Sequence, residues 1–307
     1  MNSTERRLEG KVALIVGAGQ TPGPKMGNGR ATALLFAREG AQVLAADQNI
    51  ASAEETVALI QQEGGTAAAV ETDVTDESSI QNAIHECRER WKRLDILHNN
   101  VGISVAGGDA SVTEITVDAF DRIMAVNLRS VVLACKHALP IMRDQGSGVI
   151  LTISSIAALE SYPWVTYKAS KSALLALTQQ LAYQNAEYGV RANVILPGLM
   201  DTPMAVDTRA EAWGRTREDV AAERDARVPL GKKMGSAWDV AYAALILASD
   251  DAGFITGAAL PVDGGASCRV GCTYTNEDVS SSSPIVGASK CERLVIACTK
   301  ITKHCVV

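Results

Sequence analysis

From residue 11 onward the chain alternates between two kinds of segment. The first is a short, almost unbroken apolar run: "KVALIVG" at 11–17, "AQVLAAD" at 41–47, "TAAAVET" at 66–72, "LDILHNN" at 94–100, "GVILTIS" at 148–154, "VRANVILP" at 190–197 and "GAALPVD" at 257–263. A strand wet on one face alternates apolar and polar residues; one covered on both faces does not, so these runs read as strands of a parallel sheet. The second kind repeats its apolar positions every three or four residues, as in "DESSIQNAIHECRERW" at 76–91, where Asp76 stands as a cap before Ile80, Ile84 and Cys87. Strands separated by such helices predict an α/β chain with a doubly wound parallel sheet, the Rossmann fold. No internal repeat is evident.

Composition adds bounds to this picture. The 307 residues, 47% of them hydrophobic, suffice for one large α/β domain. A formal charge of -6 argues against a surface for nucleic acid or an anionic membrane, which leaves a small molecule as the expected partner. The opening "MNSTERRLEGK" lacks the apolar core of a signal peptide, and no run approaches the roughly 20 apolar residues of a membrane span, so a cytoplasmic location is expected. After "VDGGAS" the composition shifts: residues 1–267 carry 24 basic and 32 acidic residues, residues 268–307 five and three. We therefore expect a catalytic domain over 1–267 and a flexible tail over 268–307. Cys87 and Cys135 lie in the body, whereas Cys268, Cys272, Cys291, Cys298 and Cys305 lie in the tail at spacings that match neither a disulfide framework nor a common zinc pattern; no metal is expected.

Candidate chemistry begins after the first strand. In "VGAGQTPGPKMGNGRATALLFAREG" five glycines precede a helical pattern, the arrangement in which backbone N–H groups and a helix N-terminus receive a pyrophosphate. The second strand ends in Asp47, 18 residues after Gly29; a carboxylate there accepts the adenosine ribose hydroxyls and repels a 2′-phosphate, which favours NAD over NADP. Lys25 in the glycine loop is the one counter-indication. Asp73, at the exit of the third strand, is placed for the adenine amino group or for helix capping. Further on, "YPWVTYKASK" at 162–171 sets Tyr167 four residues before Lys171, one helical turn apart on one face.

Taken together these residues resemble the short-chain dehydrogenase/reductase family over residues 8–267. The pattern comprises the glycine turn, "DV" at 73–74, "NNVG" at 99–102, Asn127 in "AVNLRS", "ISS" at 153–155, "YKASK" at 167–171, "PG" at 197–198 and "VDGG" at 262–265. Two features depart from it: Val16 stands where the family has threonine, with six extra residues between Gly17 and Gly27, and the 40-residue tail follows where similar chains stop. The resemblance implies a catalytic set of Asn127, Ser155, Tyr167 and Lys171. Tyr167 would be the acid/base, Lys171 its partner and the holder of the nicotinamide ribose, and Asn127 a water-holding link of the proton relay. For the substrate-orienting serine, Ser154 and Ser155 compete, and the match of "SIAA" favours Ser155. Cofactor contacts are implied for Gly17, Gly27, Asn28, Gly29, Asp47, Asp73, Val74, Asn100, Gly102, Tyr167, Lys171 and Thr202.

The function so implied is hydride transfer between NAD and a secondary alcohol or ketone. Met200, Met204, Trp213, Tyr162 and Trp164 either line an apolar pocket, which would suit a cyclic, terpenoid-, steroid- or polyketide-like substrate, or serve as packing. The alternative is a catalytically silent NAD(P)-sensing protein on the same fold, which the presence of the whole catalytic set disfavours; an epimerase would need a larger C-terminal domain. A homotetramer or homodimer is expected.

Overall fold

The structure, a computed structural model, describes residues 6–268. Seven parallel strands form one sheet in the order β3-β2-β1-β4-β5-β6-β7. They are β1 (Val12–Val16), β2 (Gln42–Asp47), β3 (Thr66–Glu71), β4 (Ile96–Asn99), β5 (Gly148–Ile153), β6 (Val190–Pro197) and β7 (Ala259–Val262). Every one falls inside an apolar run of the sequence.

The sheet explains why the runs are unbroken. Ala13 and Ile15 of β1 point into a core shared with α1 (Asn28–Arg38), α2 (Ile50–Gln62) and α9 (Ala237–Ala248). Their neighbours Val12, Leu14 and Val16 point into the opposite core, shared with α3 (Glu77–Trp91), α5 (Ser130–Gln145) and α6 (Val165–Asn185). The expectation of burial on both faces fails at the two sheet edges, where β3 is only partly covered and Leu260 of β7 is 37% exposed. An edge strand has a neighbour on one side only, a fact about position in the sheet that a run of apolar letters does not carry.

Helix starts follow local chemistry. Asp76 accepts from Ser78 N–H at 2.9 Å at the head of α3, and Asn49 accepts from Ser52 N–H at 3.2 Å at the head of α2. Strand order reverses between β1 and β4, and in an open parallel sheet that reversal opens a crevice beyond the carboxyl ends of the strands. Three further helices complete the chain: α4 (Val117–Met124), running into a π-helical turn at Ala125–Arg129, and the pair α7 (Asp207–Trp213) and α8 (Arg217–Arg227) after β6. Among the described residues no helix is long and apolar enough to cross a membrane, and no three His, Cys, Asp or Glu residues cluster as metal ligands. The segment expected as a tail lies, Cys268 apart, outside the described residues, with four of its five cysteines.

Candidate active site

The crevice begins where β1 ends. Gly17 holds φ at +84°, where a side chain is strained, and its carbonyl accepts from Asn100 Nδ2 at 3.0 Å, joining the ends of β1 and β4. Opposite it, a Cβ on Gly29 would stand 1.9 Å from the Gly17 oxygen. Gly27 precedes α1 and no side chain caps that helix, so its first-turn amides are offered to an anion. Asn28 Oδ1 is buried there without a hydrogen-bond partner. An uncapped helix end and a cradle that a single Cβ would fill together fit a dinucleotide pyrophosphate.

The lengthened glycine loop is braced rather than loose. Gly27 N–H donates to Gln20 Oε1 at 3.0 Å across its neck. Its tip reaches the segment after β6: a Cβ on Gly23 would meet Pro203 Cβ at 2.9 Å, and Lys25 Nζ lies 4.0 Å from Asp201 Oδ2. Asp47, at the end of β2, accepts from Gly19 N–H at 2.9 Å and from Asn49 N–H at 3.0 Å, leaving acceptor capacity on each oxygen. Asp73 is exposed, and its Oδ1 accepts from Thr75 N–H and Oγ1 at 2.8 Å each, closing the turn after β3. Val74, Val16 and Val101 line a narrow apolar cavity beside it.

Deeper in, α6 presents Tyr167 and Lys171 one turn apart. Lys171 is 2% exposed; its Nζ donates to Ile153 O at 2.9 Å and lies 5.7 Å from the centre of the Tyr167 ring. Gly102 makes room for it, since a Cβ there would stand 2.9 Å from that Nζ and 3.5 Å from Asn127 Oδ1. The serines divide: the Ser155 side chain stands by the Tyr167 phenol and favours its ionised form, whereas Ser154 Oγ donates to Lys171 O at 2.7 Å on the far side. Adjacent residues leaving a strand face opposite ways, so only one meets the phenol. Asn127 sits fully buried in the π-helical turn, its Oδ1 accepting from Ile103 N–H at 2.8 Å and its Nδ2 donating to Ile103 O at 2.9 Å and Ser170 Oγ at 3.0 Å. Thr202 is buried just beyond β6.

Burial sets the electrostatics. It pushes the Tyr167 phenol up to about 12, aided by Tyr162 and opposed by the Ser155 hydrogen bond and the charges of Arg209 and Arg224. The same desolvation lowers Lys171 to about 8. A further positive charge at the end of this crevice would favour the phenolate.

Three residues escape a reading by motif. The carboxylate of Asp109 accepts from Thr166 N–H at 3.1 Å and from Tyr167 N–H at 2.8 Å, capping α6 from a distant loop. Arg209 on α7 and Arg224 on α8 bring positive charge to the Tyr162 and Tyr167 rings, whose centres are 5.3 Å apart. Of the five residues read as pocket or packing, Met200 packs: it is 4% exposed in the sheet core, its Sδ 2.7 Å from where a Gly235 Cβ would lie. Tyr162 packs edge-on to Trp164 at 5.4 Å, while Met204 and Trp213 are exposed.

Comparison with known proteins follows the same outline. Residues 24–267 match the model of a family described as Enoyl-(Acyl carrier protein) reductase. The 2,5-dichloro-2,5-cyclohexadiene-1,4-diol dehydrogenase of Sphingobium indicum is 37% identical over 267 residues, 86% of this chain and 99% of its own. A chain from Burkholderia xenovorans described as a short-chain dehydrogenase/reductase superposes with a TM-score of 0.80 at 40% identity, over 86% of this chain and 99% of its own. A 7α-hydroxysteroid dehydrogenase solved with NADH and 7-oxo glycochenodeoxycholic acid superposes with a TM-score of 0.76 at 33% identity, over 86% of this chain and 97% of its own.

Proposed function

The chain belongs to the short-chain dehydrogenase/reductase family, and from that membership we propose that it is an oxidoreductase interconverting a secondary alcohol and a ketone, with NAD in preference to NADP. The observation that carries this reading is the meeting of Ser155, Tyr167 and Lys171 at the floor of a crevice whose other end is the Gly17–Gly29 cradle. A nicotinamide coenzyme held there supplies or accepts the hydride.

The chain's own groups do the rest. Ser155 Oγ and the Tyr167 hydroxyl converge on one point, where they polarise a carbonyl or hold a hydroxyl oxygen. In oxidation Tyr167 takes the hydroxyl proton; in reduction it returns it. Lys171, charged at neutral pH despite its burial, favours the phenolate and offers its ammonium to ribose hydroxyls. Asn127 holds the Gly102–Ile103 backbone and Ser170 in place behind Lys171. Asn28 and Gly29 would present free first-turn amides to the pyrophosphate, with Gly27, its own N–H held by Gln20, at the head of the helix and Asn100 fixing the Gly17 turn. Asp47 would select a ribose without 2′-phosphate, Asp73 and Val74 would hold the adenine, and Thr202 the carboxamide.

Tyr162 and Trp164 give the substrate an apolar wall, in keeping with the cyclic diol and the steroid named for two relatives. A homodimer or homotetramer would cover the apolar groups at Tyr242 and Ile246 of α9, 55% and 47% exposed, together with Leu260 of β7. The test is a panel of secondary alcohols and ketones followed at 340 nm with each coenzyme. NADH formed or consumed faster than NADPH agrees with the proposal; no coenzyme turnover across cyclic, linear, acidic and neutral members sinks it.

A further inference from the structure

Beyond the hydride site, the cleft holds two cations without a counter-ion. Arg209 extends from α7; its guanidinium donates to Ala205 O at 3.0 Å and reaches the Tyr162 hydroxyl at 3.4 Å. Arg224 comes from α8, and its one hydrogen bond among the described residues runs from Nε to Met234 Sδ at 3.3 Å, a weak acceptor. Neither has a carboxylate within ion-pair distance among those residues, although the charge of Asp201 reaches Arg224 from further off. Asp201 and Asp207 both pair with Arg217, Asp225 accepts from Met234 N–H at 2.7 Å, and Asp109 caps α6.

These helices are not a loose flap. Val206, Ala210, Val220, Val228 and Met234 form a small core beneath them, which holds both arginines on a packed base. Burial, Arg209 and Arg227 push Arg224 down to about 10 against the opposing influence of Tyr162 and Asp201, a cost that a bound anion would relieve. The guanidinium fork matches a carboxylate in plane and spacing.

Accepting the oxidoreductase reading above, we propose that Arg209 and Arg224 form a carboxylate-binding subsite, so that the substrate is a hydroxy- or oxocarboxylate with its reacting carbon at Tyr167 and its carboxylate between the two guanidinium groups. The apolar body of the molecule lies against Tyr162, whose ring bridges the two ends. The reaction balances as hydroxycarboxylate plus NAD⁺ giving oxocarboxylate, NADH and a proton, with the carboxylate unchanged.

Calorimetry on the NADH-loaded full chain tests the subsite apart from turnover. Cyclohexanecarboxylate is compared with cyclohexanecarboxamide, which has the same shape and no charge. The acid is expected to bind at least tenfold tighter, and Arg209→Gln and Arg224→Gln should each bring the ratio toward one while NADH affinity and melting temperature hold. Equal binding of the two probes by the unaltered chain overturns the proposal without any variant. So does a ratio unmoved by either substitution, or a loss of NADH affinity in its place, which would put the arginines on the coenzyme. A charge preference without hydride transfer to any alcohol leaves the subsite standing and sinks the oxidoreductase reading; turnover of neutral alcohols without charge preference does the reverse.

Discussion

Asp109→Ala removes the cap that fixes the helix carrying Tyr167. That helix has no cap of its own, since Trp164 at its N-cap position offers no acceptor. Its first amides are instead met by one short segment: Val165 N–H by Ala110 O at 3.0 Å, Thr166 and Tyr167 N–H by the Asp109 carboxylate at 3.1 and 2.8 Å. Loss of a capping acceptor costs about 0.5–2 kcal/mol, and loss of a negative charge at a helix N-terminus about 0.3–1 kcal/mol more, so about 2 kcal/mol in all is expected. For a chain of this size that is a fall of about 3–4 °C in Tm. The kinetic consequence is sharper than the thermal one, because the freed turn contains the phenol itself. We expect kcat to fall at least tenfold with little change in coenzyme affinity, and Asp109→Asn, which keeps one acceptor oxygen, to recover part of both losses. Differential scanning calorimetry and steady-state rates at saturating coenzyme read the two effects. If Asp109→Ala melts within a degree of the unaltered chain and keeps its kcat, the cap does not position the phenol.

Three further perturbations probe other parts of the site. Gly29→Ala places a methyl 1.9 Å from the Gly17 oxygen and should weaken NADH binding well over tenfold by fluorescence titration; unchanged affinity would remove the pyrophosphate from this cradle. Asp47→Ala should weaken NADH and raise the NADPH-to-NADH affinity ratio, since ribose acceptor and 2′-phosphate repulsion vanish together; an unchanged ratio would move selection elsewhere. The phenol of Tyr167, raised from 10.0 to about 12 by burial, contributes stability that is whole below its unfolded pKa and lost as pH rises through about 12, while Lys171, lowered from 10.5 to about 8, contributes stability present above 10.5 and lost as pH falls through 8. The Tm advantage of the unaltered chain over Tyr167→Phe should therefore be flat up to about pH 9.5 and shrink above about pH 10; a constant difference to about pH 11 would show an unperturbed phenol.

The sequence announced the sheet because the five inner strands are covered on both faces, which leaves a continuous apolar run; the partly exposed β3 and β7 look the same in letters because edge position is a property of the assembled sheet. That Tyr167 and Lys171 share a helix face was legible because a spacing of four joins them locally; their expected roles rested on the family resemblance alone. The choice between Ser154 and Ser155 needed the direction in which each side chain leaves β5. Asp109 left no local mark, since it acts on amides 57 and 58 residues away and its own loop reads as any polar turn. Arg209 and Arg224 lie in a segment of dense, mixed charge, where a one-dimensional pattern does not tell an inward guanidinium from a solvated one. Met200 stayed ambiguous for the converse reason: a methionine near a glycine reads equally as pocket wall or as core, and the packing against the sheet decides for core.

The central claim is that Tyr167 moves the proton in a coenzyme-linked oxidation or reduction. The most direct measurement pairs NADH titration with single-turnover absorbance at 340 nm for the unaltered chain and Tyr167→Phe, using whichever alcohol or ketone the panel finds best. Removing only the hydroxyl should leave NADH affinity within about threefold and lower the turnover rate by about 10²–10⁴, the range expected for a positioned general acid/base. A variant that turns over at the original rate, or one that loses NADH with its activity, would contradict the account.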